Sequence, residues 1–432
     1  FVLGAGADTV VYNGGFNNNV SDFSLADNDR LQFGQTVLDN FGTLRLFRFG
    51  DGTLGTFVRF EITEQDEEGI GLTGLTVEEA YEVLQPTFDT FPGVTITDDV
   101  GDTEVFGSPG SDAITIEAPI GADRDVNASV GDDVYQYGAN ADRFFVRFEY
   151  ETLGPIGIDG DFDLRTRETA GVGPTGDVVS TVTKGLTTSV SQGDDQILNM
   201  FENSNFGTMI ETTRGDDVVS VTYDNGGQFE WFGIDNPGGI DTVTVSPGRG
   251  RFVLELGNDG AVFADLRAND IRAPGRFGEV DGTQFDVTFV DNNPQDVGMT
   301  YDIRTRDGND TVFGTDFDNR FTLQAGDNEA DGRDGTDTIR YNSGSYTSGV
   351  SVDLRDQDSG GSTVVRGTYR DELFNDTLVS IESVDGSQNF GDEIYGSSQD
   401  GRLDGRGGDD LIRTGFGNQS IKLGSGADAL IY

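Results

Sequence analysis

The sequence predicts an all-β chain wound as a parallel solenoid of β-roll and β-helix coils. Three observations predict it. Apolar residues recur every nine positions over long stretches, glycine accounts for 63 of 432 residues, and only one short segment has a helical pattern. Glycine is thus used about twice as often as the ~7% of an average protein. Fixed-period self-similarity means stacked units, each burying its apolar face against its neighbours.

Taken in chain order, residues 1–33 form a terminal coil and cap, opening on LGAGADTVV with Asp8 and Val10 in the two key positions. Residues 34–92 read as a connector. It holds the one helix candidate, TVEEAYEVL, with Thr76 as N-cap, Glu79 closing a capping box and Pro86 just past the end. Residues 93–118 are a short repeat block: Ile96, Val105 and Ile114 hold the register, and GSPGSDAIT with Asp112 is its best copy.

From 119 to 300 the repeat loosens into a parallel β-helix-like region. There GDDVYQY, GDDQILN, GDDVVSV and GGIDTVTV each keep an aspartate before alternating apolar residues. These aspartates are Asp133, Asp195, Asp217 and Asp241, with last intervals of 22 and 24 residues that suit wider coils. The aromatic run FEWFGI, with Trp231, alternates as a strand and is expected to pack between coils.

A second nonapeptide block spans 301–341, with Ile303, Val312, Phe321, Ala330 and Ile339 nine apart. Its acidic position holds Asp310, Asn319, Asn328 and Asp337. After a connector at 342–386, the C-terminal roll at 387–432 repeats Ile394, Leu403, Ile412, Ile421 and Leu430 without a slip. Two residues before them stand Asp392, Gly401, Asp410, Gln419 and Asp428, with turn glycines at Gly408, Gly417 and Gly426.

The unit has a simple physical reading. Glycine permits the tight turn, and the short strand after the aspartate points one apolar residue inward. Two units make one coil, so residues eighteen apart stack on one edge. Asp392, Asp410 and Asp428 then form a ladder, and their carboxylates with backbone carbonyls of the glycine turns (Gly408, Gly426) would surround ions between coils. The middle block keeps only one carboxylate per eighteen-residue pair (Asp310 with Asn328, Asn319 with Asp337) and is expected to bind weakly. For Asp8 and Asp112, isolated copies, ion binding and simple turn capping both stand. For Asp133, Asp195, Asp217 and Asp241 capping is the expected role.

The chemistry is narrowed by what the chain lacks. It has no Cys and no His, which removes disulfides, thiol nucleophiles, His-dependent catalysis and thiolate or imidazole metal sites. A metal must be held by oxygen, which selects hard cations such as Ca²⁺. The formal net charge of -49 repels nucleic acid and calls for such a cation. No apolar run spans a membrane. Acidic pairs such as Asp98–Asp99 and Asp132–Asp133 arise by chance among 77 acidic residues, so no enzyme is expected, and EQDEEG reads as a solvated loop.

The nonapeptide copies GRGGDDLIR and LGSGADALI resemble the RTX family of calcium-binding repeats, G-G-x-G-x-D-x-U-x, which form parallel β-rolls. GRDGTDTIRYNSGS and VSVDLRDQDSG resemble the connectors that lead into such blocks, and LGAGADTVVYNGG resembles their termination. The resemblance clearly covers about a quarter of the chain. It implies Ca²⁺ at Asp392, Asp410, Asp428, Asp310 and Asp337, type I export, and folding on meeting extracellular calcium. Most copies lack the first glycine, and several acidic positions hold Asn, Gln, Gly or Thr. The expected role is an extracellular structural protein of a surface layer, filament or matrix. Its partners would be further copies or other surface components; the alternatives are an adhesin that binds glycans or a non-catalytic piece of a larger secreted protein. LGSGADALIY and LGAGADTVVY share one motif in one phase, so a cut from a tandem array and head-to-tail stacking of copies are both open.

Overall fold

The computed structural model describes residues 299–432 without a break. Upstream it describes 2–14, 18–24, 26–34, 43–48, 55–63, 66–76, 79–80, 84, 93, 95–98, 104–108, 110–116, 124–128, 131–137, 145–150, 158–163, 179–184, 193–198, 207–213, 217–222, 232–236, 240–245, 250–256, 262–266, 270–274 and 284–291. The fold is all-β, mostly strand with long parallel sheets. The chain divides into two compact units, Phe1–Phe232 and Gly233–Tyr432.

In the C-terminal unit the nine-residue register becomes two parallel ladders. One runs Met299–Thr305, Asn319–Thr322, Thr338–Arg340, Ser383–Asp385, Gly401–Asp404 and Gln419–Lys422. Along it Ile303 pairs with Phe321, Phe321 with Ile339, and Leu403 with Ile421. The other ladder pairs Val312 with Ala330, Ala330 with Leu378, Ile394 with Ile412 and Ile412 with Leu430. The eighteen-residue coil therefore stands as read. Ile303, Val312, Phe321, Ala330, Ile339, Ile394, Leu403 and Ile412 are fully buried, so each coil contributes one inward side chain per strand to a thin core.

The segment between the blocks is itself a coil carrying an excursion. Thr363–Tyr369 and Glu372–Val379 form an antiparallel pair, yet Glu372–Val379 also continues the parallel ladder from Glu329–Asp331. A 3₁₀ helix, Leu354–Ser359, ends at Gly360 with φ +76°. Tyr341, Tyr346, Tyr369 and Phe374 pack here with ring centroids 5.0–5.8 Å apart, filling the wider coil that the longer segment creates.

In the N-terminal unit Thr9–Tyr12 pairs in parallel with Arg30–Phe33. Asn18–Val20 joins an antiparallel meander of Thr43–Arg48, Gly55–Thr63 and Asp66–Thr73. The capping box forms as expected: Thr76 N–H donates to Glu79 Oε2 at 2.9 Å, and Glu79 N–H donates to Thr76 Oγ1 at 3.2 Å. Further on, Thr95–Asp98, Ala113–Ile116, Val134–Tyr137 and Gly193–Leu198 form one parallel ladder. Glu104–Phe106, Arg124–Asn127, Val146–Glu149 and Thr208–Glu211 form another.

The loose region is less regular than a plain β-helix. Val134 pairs with Gln196, and the intervening chain adds Ile158–Asp163 and Val179–Lys184 as antiparallel strands. Trp231, Asp99, Glu64, Gln65 and most of the predicted helix lie outside the described residues, as do the side chains of Asp98, Asp195 and Asp241. The rest of the acidic run read as a loop, Asp66–Gly69, instead opens the strand Asp66–Thr73, drawn in by antiparallel pairing with Gly55–Thr63.

Candidate metal centre

Each aspartate precedes a strand whose second residue turns inward, fully buried after Asp112, Asp310, Asp337, Asp392 and Asp410 and half-buried after Asp8 and Asp428. That places its carboxylate at the corner where one coil meets the next. The expected ladder is present: Asp392 N–H donates to Asp410 Oδ1 at 2.8 Å, and Asp410 N–H donates to Asp428 Oδ1 at 3.1 Å. The middle block does the same, with Asp310 N–H to Asn328 Oδ1 at 2.9 Å and Asn319 N–H to Asp337 Oδ1 at 2.7 Å. The isolated copies follow suit. Asp8 N–H donates to Asp29 Oδ1, and Asp112 N–H to Asp133 Oδ1, both at 3.0 Å.

Sequence reading missed several members of these ladders. Asn328 N–H donates to Asp376 Oδ1 at 3.0 Å and Asp337 N–H to Glu382 Oε2 at 2.8 Å, so both ladders run on through the connector. Asp29, Asp376 and Glu382 share the signal of an acid two residues before a buried apolar side chain, without a fixed spacing from the previous copy.

The second carboxylate oxygen separates two classes of corner. At Asp112 a serine four residues earlier satisfies it: Ser108 Oγ donates to Oδ1 at 2.6 Å and Ser108 N–H donates to Oδ2. Thr213 treats Asp217 alike, at 2.7 and 2.9 Å. Asp392 is closed by Val350 N–H at 2.7 Å and by Ser387 at 2.8 and 2.9 Å. These are capped turns.

At Asp337 and Asp410, by contrast, Oδ2 is buried with no hydrogen-bond partner; at Asp310 Oδ2 is buried with only the Thr305 hydroxyl close enough to favour its charged form. A buried carboxylate oxygen without a donor is costly. Burial pushes the carboxyls of Asp310, Asp392 and Asp410 up to about 6, and that of Asp337 up to about 8. At Asp410 the neighbouring Asp392 and Asp428 charges add to the rise.

Glycines let the turn backbone approach these oxygens closely, as Gly386 also does at the capped Asp392, where a methyl would lie 2.1 Å from Oδ2. A methyl group on Gly405 would lie 2.3 Å from Asp410 Oδ2 and 2.6 Å from the Leu423 carbonyl oxygen. On Gly332 it would lie 2.4 Å from Asp337 Oδ2 and 2.3 Å from the Ser380 carbonyl oxygen. The turn glycines named from the sequence serve close stacking: a methyl on Gly426 would lie 1.7 Å from the Gly408 carbonyl oxygen, and both glycines have positive φ.

These corners suit an oxygen-seeking cation. Among the described residues no three acidic side chains gather closely enough to hold a metal by themselves, so a cation at these corners would need backbone carbonyls beside the single carboxylate oxygen. Ca²⁺ accepts such mixed oxygen shells. Asp310, Asp337 and Asp410 are the residues that would hold it.

The other ladder of the C-terminal unit compensates its own charge. Asp302, Asp385 and Asp404 are buried in strands, where Arg340 pairs across strands with Asp385 and Asp404 with Lys422. Arg402 and Arg406 reach Asp385 at 2.9 and 2.7 Å, and Arg304 reaches Asp302 at 3.3 Å.

No protein-family model matches this chain, and no curated protein matches it.

Proposed function

We propose that this chain is a calcium-loaded RTX-type β-roll protein that serves as an extracellular structural building block of a surface layer, filament or matrix. The observation that carries the reading is the buried, donorless Oδ2 of Asp337 and Asp410, set in an eighteen-residue coil register. Without a cation these oxygens oppose folding. With one they become its ligands, and the binding free energy becomes folding free energy.

A protein of this kind is exported unfolded, by a type I system, and folds where calcium is abundant. Its contacts are with further copies or other surface components, and it performs no catalysis. The test is a calcium titration of the chelated chain, following far-UV circular dichroism and particle size together. A rise in β signal with growing particles supports a calcium-triggered assembly. The β rise in an unchanging monomer keeps calcium folding and removes self-assembly. No spectral change removes both.

A further inference from the structure

Several ladder corners, most of them at positions without an aspartate, are filled by a side-chain nitrogen in a consistent way. Asn319 Nδ2 donates to the carbonyl oxygen of Thr315 at 3.4 Å, to that of Phe317, and to Asp337 Oδ1 at 3.0 Å. Asn328 Nδ2 repeats the pattern with Gln324 at 3.5 Å, Gly326 at 3.4 Å and Asp376 Oδ1 at 2.9 Å. In both, the oxygens are the carbonyls four and two residues earlier and the carboxylate of the next coil.

Where the ladder position is Gly401, which has no side chain, Gln419 reaches back from the following coil. Its Nε2 donates to the carbonyls of Ser397 at 2.6 Å and Gln399 at 3.2 Å, again four and two residues before the ladder position. In the N-terminal unit a lysine does it. Lys184, its side chain wholly buried, donates from Nζ to the Gly131 carbonyl at 2.8 Å and sits 3.5 Å from Asp133 Oδ2. Gly131 is two residues before Asp133.

Four nitrogens from three residue types thus land on the same kind of oxygen cage. Converging carbonyls and a carboxylate need positive charge or N–H donors between them. We infer that Lys184, Asn319, Asn328 and Gln419 are built-in substitutes for the divalent cation, holding their corners closed without metal and confining metal uptake to corners that carry an open aspartate. The inference rests on the calcium reading of those open corners. It makes the chain a mosaic: some coils are locked by their own side chains, others wait for the ion.

The test counts calcium bound to the full chain by equilibrium dialysis and measures unfolding midpoints in chelator and in calcium. The wild type is compared with Asn328→Asp and Lys184→Met. Each variant is expected to bind one more ion than the wild type, to lose midpoint in chelator, and to recover it in calcium. An unchanged ion count in folded variants overturns the inference. So does failure of both variants to fold in calcium, because the freed oxygens then did not take the ion. A wild type that binds none defeats the calcium reading of the aspartate corners instead, and a gain in Asn328→Asp without one in Lys184→Met overturns the assignment of Lys184.

Discussion

At the scale of single residues, the decisive contrast is between carboxylate oxygens that have donors and those that do not. Gly405→Ala puts a methyl group 2.3 Å from Asp410 Oδ2, where backbone on the next coil blocks relaxation. Such overpacking costs about 1–3 kcal/mol, and here it should also abolish the local calcium response; denaturant melts with and without calcium measure both. The carboxyls also set a pH dependence. Burial raises Asp376 to about 7 and Asp337 to about 8, above the ordinary carboxylate value. The native state therefore holds protons that the unfolded chain has released. In chelator, stability is greatest near the unfolded carboxylate value of about 4 and falls as pH rises through 6 to 8. Calcium should restore it at pH ~7.5 and add little at pH ~5, read as melting temperature against pH. A melting temperature flat across that range would contradict the assignment of these groups as carboxyls held protonated by burial.

At the scale of elements, each short strand contributes one inward side chain, so the core is a single file rather than a broad interior. Ile412, buried between Ile394 and Leu430 in the ladder, has no other coil to compensate for it. Ile412→Ala should cost about 2–5 kcal/mol, seen in equilibrium unfolding in calcium. The charged ladder behaves differently. Asp385 meets Arg340, Arg402 and Arg406, whose side chains are 18%, 42% and 30% exposed. Removing it frees arginines that can turn to water, so Asp385→Ala should cost roughly 1–2 kcal/mol, below the figure for a fully buried pair, and less in high salt. The nine-residue register, the eighteen-residue coil and the Thr76–Glu79 capping box were legible because they are local and periodic. The onward ladder partners Asp376 and Glu382 were not, since the Thr363–Val379 hairpin interrupts the count. Lys184 and the strand arginines were missed for another reason: a charged residue in an alternating strand reads as a solvated face until the neighbouring coil is placed against it.

At the scale of the whole molecule, a net charge of -49 disfavours any compact state. Monovalent salt shortens the screening length to a few ångströms at about 0.5 M, yet it supplies no ligand for a donorless oxygen. Chelated protein in such salt should therefore stay more expanded than protein in millimolar calcium, as radius of gyration by solution scattering would record. Equal compaction by the two would mean that calcium acts only as a screening ion.

The account stands most directly on Asp410, where an unpartnered oxygen, a closely packed glycine and a coil-to-coil hydrogen bond coincide. The measurement is the calcium-induced shift in unfolding midpoint for the wild type and for Asp410→Asn, whose amide can donate to the turn carbonyls as Asn328 does. A clear upward shift in the wild type, with a smaller shift and a higher chelator midpoint in Asp410→Asn, is the predicted result. Equal shifts in the two proteins, or none in either, would contradict it.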